Sequence, residues 1–289
     1  MNESSAKNYG LPIHGNLSLL IASSALVAIL MLAAALAGIF FTAESYPSEE
    51  FVHSFVPTDV SVLLIGLPML LAALWLARRG SLIGLLLWPG ALLFVVYNYL
   101  VYLLALPLNL LFLLILVLVA LSAYTLASLL LKIEFEVLRT WLEGRVPARL
   151  SGAILAVLGS LFVARALSIL IGAINGAGSL PGTEVALNVT DFLLSPTWII
   201  GGIALWRRQA FGYAAGLGLL YQASMLFIGL IIFMLVQPFI TEAAFNPVDV
   251  VVVFVMGLIC FIPFGLFLRR ASAAGRPDAT KPEGNEHEK

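Results

Sequence analysis

Arg165 and Asp191 are ionisable residues set within long apolar runs. A guanidinium and a carboxylate in hydrocarbon can form a structural ion pair or a ligand-binding pair, or the arginine can snorkel to the interface. Asn98 and Gln222 occupy comparable runs, and amides there either join helices by hydrogen bonds or touch a ligand. These four residues, Arg165, Asp191, Asn98 and Gln222, form the candidate intramembrane polar site. His53, with Glu44, Glu49, Glu50 and Asp59, could chelate a cation. A lone histidine among acids reads rather as a solvated surface, so no metal centre is expected. Cys260 is the single cysteine, which excludes an intrachain disulfide, a multi-thiolate metal site and a Cys-x-x-Cys redox pair. His-Glu-x-x-His, Gly-x-Ser-x-Gly, a phosphate-cradling Gly-rich loop and an intramembrane carboxylate pair are all missing. No catalytic residue and no cofactor are therefore assigned, and the reading leans away from an enzyme.

The elements that must position these residues are transmembrane helices. Hydrophobic residues make up 61% of the 289-residue chain and charged ones 11%, whereas soluble domains run at about 45–50% apolar and about 25% charged. With 15 Lys+Arg against 16 Asp+Glu, no basic surplus is available for nucleic acid. A spanning helix needs about 20 mostly apolar residues. Eight such runs occur, at 17–41, 60–77, 81–105, 108–131, 150–174, 188–206, 210–236 and 248–268. The first lacks a small-residue cleavage site and reads as a retained helix, not a secretory signal.

Orientation follows from the basic residues, which concentrate in cytoplasmic loops. Lys7, Arg78, Arg79, Lys132, Arg139, Arg145, Arg149, Arg207, Arg208, Arg269, Arg270, Arg276, Lys281 and Lys289 all fall on one side, leaving Arg165 alone within a span. The opposite loops carry Glu44, Glu49, Glu50, Glu184, Glu242 and Asp249 and no base. Both termini are expected in the cytoplasm. The segment 132–149 carries Ile133, Val137, Leu138, Trp141 and Leu142 at helical spacing, which predicts an amphipathic helix at the cytoplasmic interface or a continuation of span 4. The tail from Ala271 offers nothing apolar to bury and is expected to be disordered. Thr42 to Thr58 forms the longest, acidic outer loop.

The two halves correspond in order. Thr58-Asp59, Pro68, Trp75 and Arg78-Arg79 are matched by Thr190-Asp191, Pro196, Trp206 and Arg207-Arg208, and each arginine pair leads into a helix containing tyrosine. This predicts an all-α polytopic bundle of eight spans arranged as a tandem 4+4 repeat. Repeat 1 covers 17–131 and repeat 2 covers 150–268, with a cytoplasmic N-terminus at 1–16, the amphipathic loop at 132–149 and a cytoplasmic tail at 269–289. Units with an even number of crossings enter from the same side, so the repeat is parallel, about an axis along the membrane normal. Counted along ideal helices, Arg165 lies about 22 Å from Leu150 and Asp191 about 24 Å from Arg207, at matching depth in the outer half. Asp59 has no basic counterpart in repeat 1. Tyr97, Tyr99 and Tyr102 fall near the outer interface, where an aromatic belt is expected, and Trp75 and Trp206 fall in the inner one.

Pro57-Thr58-Asp59, Leu74-Trp75-Leu76-Ala77-Arg78-Arg79-Gly80-Ser81, Tyr97-Asn98-Tyr99, Pro107 to Leu113 and Asp191…Pro196…Arg207-Arg208…Gly212-Tyr213 resemble a group of prokaryotic multi-pass, eight-helix membrane proteins with no assigned activity. The resemblance implies a prokaryotic plasma (inner) membrane and lends no chemistry. The expected partners are the lipid bilayer and a small apolar or amphiphilic ligand. Two functions follow: a permease-like or lipid-handling protein with an outward-facing polar pocket, or a non-transporting membrane scaffold or sensor. The cytoplasmic half of the bundle has hydroxyls such as Ser23, Ser24, Tyr124, Thr125 and Ser128 but no amide or ionisable side chain, which disfavours ions and polar solutes as cargo.

Overall fold

The computed structural model describes residues 11–176, 178–241 and 245–274. Lys7, Glu242, Arg276, Lys281 and Lys289, which enter the orientation count, lie outside the described residues, as does most of the tail expected to be disordered. Among the described residues, eight helices are long and apolar enough to cross a membrane. Span 1 is α1 (Ser18–Phe40), followed by the short α2 (Thr42–Ser45). Span 2 joins α3 (Glu49–Ser61), a π-helical turn at Val62–Gly66 and α4 (Leu67–Arg78). Spans 3 and 4 are α5 (Leu82–Ala105) and α6 (Leu110–Lys132), and α7 (Phe135–Leu142) follows them. Span 5 is α8 (Ala148–Ile174), and span 6 joins α9 (Gly182–Leu194) to α10 (Pro196–Trp206). Span 7 is α11 (Ala210–Val236) and span 8 is α12 (Pro247–Ala274). Among the described residues there is no strand, only a single bridge between Ile13 and Ile133.

Spans 2 and 6 start well before the expected 60 and 188. Most of the expected outer loop is helix, because a backbone in lipid must satisfy its own hydrogen bonds and the acids do not interrupt that ladder. Glu49 and Glu50 sit in the first turn of α3 and Glu184 in the first turn of α9, where a carboxylate is favoured by the helix dipole. Span 8 runs past the expected 268 to Ala274, and Ala271 is buried, so the start of the expected disordered tail is ordered helix. The irregular points of spans 2 and 6 fall at Pro68 and Pro196, where a ladder donor is missing.

Span 3 is the axis of the bundle: 89% of its apolar window is buried, against 22% in spans 5 and 8. It packs on spans 2, 4, 6 and 7, while span 7 packs on spans 2, 3, 6 and 8. Where spans 3 and 7 cross, Gly90 lies against the backbone of Gly218, and a Cβ on either would strike the other helix. The turn 76–84 repeats at 204–212. Gly80 N–H donates to Ala77 O and Ser81 N–H to Leu76 O, just as Arg208 N–H donates to Leu205 O and Gln209 N–H to Ala204 O. Gly84 rests on the backbone of Leu76 and Ala77, as Gly212 does on Ala204 and Leu205. Gly80 has φ +72°, and its counterpart Arg208 adopts φ +57°, a left-handed conformation that costs a non-glycine residue roughly 1 kcal/mol or more.

At the end of the bundle bearing the basic loops, α7 is amphipathic as expected. Its apolar face meets protein instead of lipid: Leu138 and Leu142 are fully buried, and Phe135 meets Phe211 edge-on at the start of span 7. The N-terminal segment is also engaged, since His14 N–H donates to Lys132 O and Glu134 N–H to Pro12 O, each at 2.9 Å, with Leu11, Ile13 and Leu17 buried beneath.

Candidate functional site

Asp191 sits on α9 one turn before the helix breaks at Ser195. Its carboxylate is 2% exposed, yet both oxygens are bonded. Oδ2 accepts from Arg165 Nη1 at 3.0 Å, and Oδ1 accepts from the hydroxyl of Tyr97 on span 3. The matching depths counted along the chain thus correspond to contact. Arg165 differs from its partner, because its side chain is 50% exposed and Nη1 makes its only hydrogen bond among the described residues. Leu161, one helical turn before Arg165, and Phe192 and Leu193, which follow Asp191, are exposed as well.

Asp59 has no cationic partner among the described residues. Oδ2 accepts from Tyr46 at 2.6 Å and Oδ1 from Tyr102 at 2.9 Å, and the residue is 1% exposed. Room for the carboxylate comes from Gly38 of span 1, where a Cβ would collide with Oδ2. Phe55 stacks on Tyr102 with centroids 4.0 Å apart and lies 5.6 Å from Tyr46, so the carboxylate is walled in by rings. Burial and the neighbouring Asp59 charge push the Tyr46 phenol well above its ordinary range, which keeps it a donor. Asn109 Nδ2 donates to Ser45 O at 3.2 Å and fixes the segment that delivers Tyr46.

The other two members of the expected site lie apart from the ion pair in their bonding. Gln222 Oε1 accepts from Trp198 Nε1 at 2.8 Å, joining span 7 to span 6, while Asn98 Nδ2 donates to Phe94 O on its own helix at 3.0 Å. Tyr97, Tyr99 and Tyr102 do not form an outer belt. All three are buried, because each hydroxyl has an acceptor inside the bundle: Asp191, Met31 O and Asp59 respectively. Trp75 and Trp206 are each 52% exposed, as interfacial belt residues should be. The tyrosine ligands were the part of the site that could not be assigned from spacing, since a tyrosine at a span end fits a belt equally well. Glu50, an acid of the expected outer loop and of the cluster around His53, serves a structural contact. Its Oε1 accepts from Thr183 N–H at 2.8 Å and Thr183 Oγ1 at 2.9 Å, so span 2 caps the start of span 6.

His53 gathers no ligand set: among the described residues no three His, Cys, Asp or Glu side chains converge as a metal site would require. Cys260 is buried in span 8. Chemically, this end of the bundle holds two buried carboxylates, Asp59 and Asp191, each with both oxygens bonded, and the half-exposed guanidinium of Arg165, which can meet a further group. Compared with known proteins, the chain matches no family model, no curated protein and no solved structure.

Proposed function

We propose that the chain is a duplicated, lipid-handling membrane protein of a prokaryotic plasma membrane, with both termini cytoplasmic. In this reading Arg165 anchors the anionic head group of a lipid-like amphiphile in the outer leaflet. The observation that carries it is the half-exposed Arg165, tied to Asp191 through one nitrogen, with exposed apolar residues one turn before it on span 5 and directly after Asp191 on span 6. A charge at that depth needs a counterpart, and a lipid phosphate supplies one for the free N–H groups. Tyr97 and Asp191 orient the guanidinium from behind. A polar pocket containing all four expected residues is not favoured, since Asn98 and Gln222 bond elsewhere.

The 4+4 parallel duplication is supported by the repeated turn, by the matching positions of Pro68 and Pro196, and by Gly90 and Gly218, whose spacing of 128 equals the offset of the turns. Equivalent residues touch each other only beside a two-fold axis. A scaffold or sensor remains the competing function, favoured by the internal satisfaction of Asp59 and Asp191.

Thermal unfolding in dodecyl maltoside with added dodecyl phosphate separates these functions. Wild type should be stabilised by several degrees and Arg165→Gln by clearly less. Equal shifts in both proteins would remove the anchor and favour the scaffold.

A further inference from the structure

A cavity of about 190 Å³ lies at the opposite end of the bundle, lined by Gly144 to Leu150 apart from Arg145, together with Arg208 and Tyr213. We propose that this cavity binds a phosphate group, held by Arg149, Arg208, the Tyr213 hydroxyl and the first turn of α8. The volume suits a phosphate and a few waters, at about 30 Å³ of liquid volume each. α8 is 27 residues long, its N-cap is Pro147, and no side chain caps it. Ser151 N–H donates to Pro147 O, but the N–H groups of Arg149 and Leu150 have no acceptor among the described residues. Such a helix start attracts anions through those donors and through its dipole.

Tyr213 supplies the independent observation. It is 1% exposed, it lines the cavity, and its hydroxyl makes no hydrogen bond among the described residues. The residue is buried while its hydroxyl has no partner among the described residues, and a phosphate oxygen in the cavity would accept from it. Neither Arg149 nor Arg208 has an ion-pair or hydrogen-bonding partner for its side chain among the described residues. Glu143, an acid whose charge acts on Tyr213, is paired with Arg139 at 3.3 Å. The corresponding turn after span 2 folds in the same way with Gly80 and Leu85 at the places of Arg208 and Tyr213, so the fold does not need these polar side chains. Arg208 keeps its side chain in a backbone conformation where glycine would be unstrained.

The phosphate can come from solution or from an inner-leaflet lipid head group, both recognised by the same arginines and amides. One arm therefore titrates the full chain in detergent with inorganic phosphate against chloride at constant ionic strength and reads the melting temperature. Wild type should rise saturably by about 2–4 °C. Arg149→Gln and Arg208→Gly should lose the rise, and Tyr213→Phe should move its midpoint about tenfold. Arg207→Gln, an arginine outside the cavity lining, should respond as wild type. The second arm reconstitutes the same proteins in phosphatidylcholine vesicles with or without phosphatidic acid and measures phosphatidic acid retained after re-extraction. A phosphate rise without retention assigns soluble phosphate, and retention lost in Arg149→Gln and Arg208→Gly assigns the lipid head group. Wild type, Arg149→Gln and Arg208→Gly behaving alike in both arms overturns the site. Arg208→Gly relieves the left-handed residue, so a folding failure does not obscure the result.

Discussion

Asp59 and Asp191 illustrate two ways of keeping a carboxylate inside a membrane bundle. One is met by two phenols, the other by a phenol and a guanidinium. Breaking a buried ion pair costs about 3–5 kcal/mol in soluble proteins, but snorkelling and water defects soften that in lipid. Arg165→Leu and Asp191→Leu should each lower the melting temperature in detergent, and the double variant should recover part of the loss, with a coupling of about 1 kcal/mol or more. Strict additivity would contradict the contact. At Asp59 the tight neighbour is Gly38, where a methyl has no room beside Oδ2. Gly38→Ala should therefore destabilise by about 1–3 kcal/mol, and combining it with Asp59→Ala should return part of that. Denaturant or thermal unfolding of the four proteins reads both cycles.

Helix meets helix closely at two kinds of place here. Spans 3 and 7 touch backbone to backbone at Gly90 and Gly218, a contact that small residues alone permit. Gly90→Ala should push them apart and cost about 1–3 kcal/mol, whereas alanine at the open Gly265 should be close to neutral. Unfolding midpoints of the two variants test this. The second place is the tight turn into span 7, where Arg208 occupies the left-handed position that Gly80 fills in the turn into span 3. Glycine suits that position at a helix C-terminus, so Arg208→Gly should raise stability by about 1 kcal/mol in phosphate-free buffer, read as a higher melting temperature. A lower melting temperature there would show that the side chain supports the fold itself.

Over the whole molecule, the polar side chains divide between the two ends. The end bearing Glu50, Thr183, Asp59 and Asp191 is locked across spans 2, 3, 5 and 6, and the other carries the basic turns, α7 and the segment 11–17. With the basic end in the cytoplasm, cysteines at Glu49, Pro107 and Glu184 should react with an impermeant thiol reagent on intact cells, and cysteines at Arg79 and Arg145 should not. Cys260 is replaced first. Labelling of Arg145→Cys in sealed cells would reverse the orientation.

The number of spans, the one-sided distribution of basic residues and the matching depth of Arg165 and Asp191 are legible in the chain before it folds. Each rests on a property that survives without tertiary contacts: the length of an apolar run, the distribution of charge and the fixed rise of a helix. Where spans 2 and 6 begin was less legible, because a helix continues through acids once its backbone has no water to turn to. That Tyr97 and Tyr102 point inward to carboxylates, that Gln222 serves Trp198, and that α7 packs on protein emerges from the packing of the helices. Those choices depend on which face of a uniformly apolar helix meets which neighbour. Span 3 is apolar on every side and so carries almost no amphipathic signal of its own, leaving the direction of its tyrosines to the packing of spans 2, 6 and 7 around it.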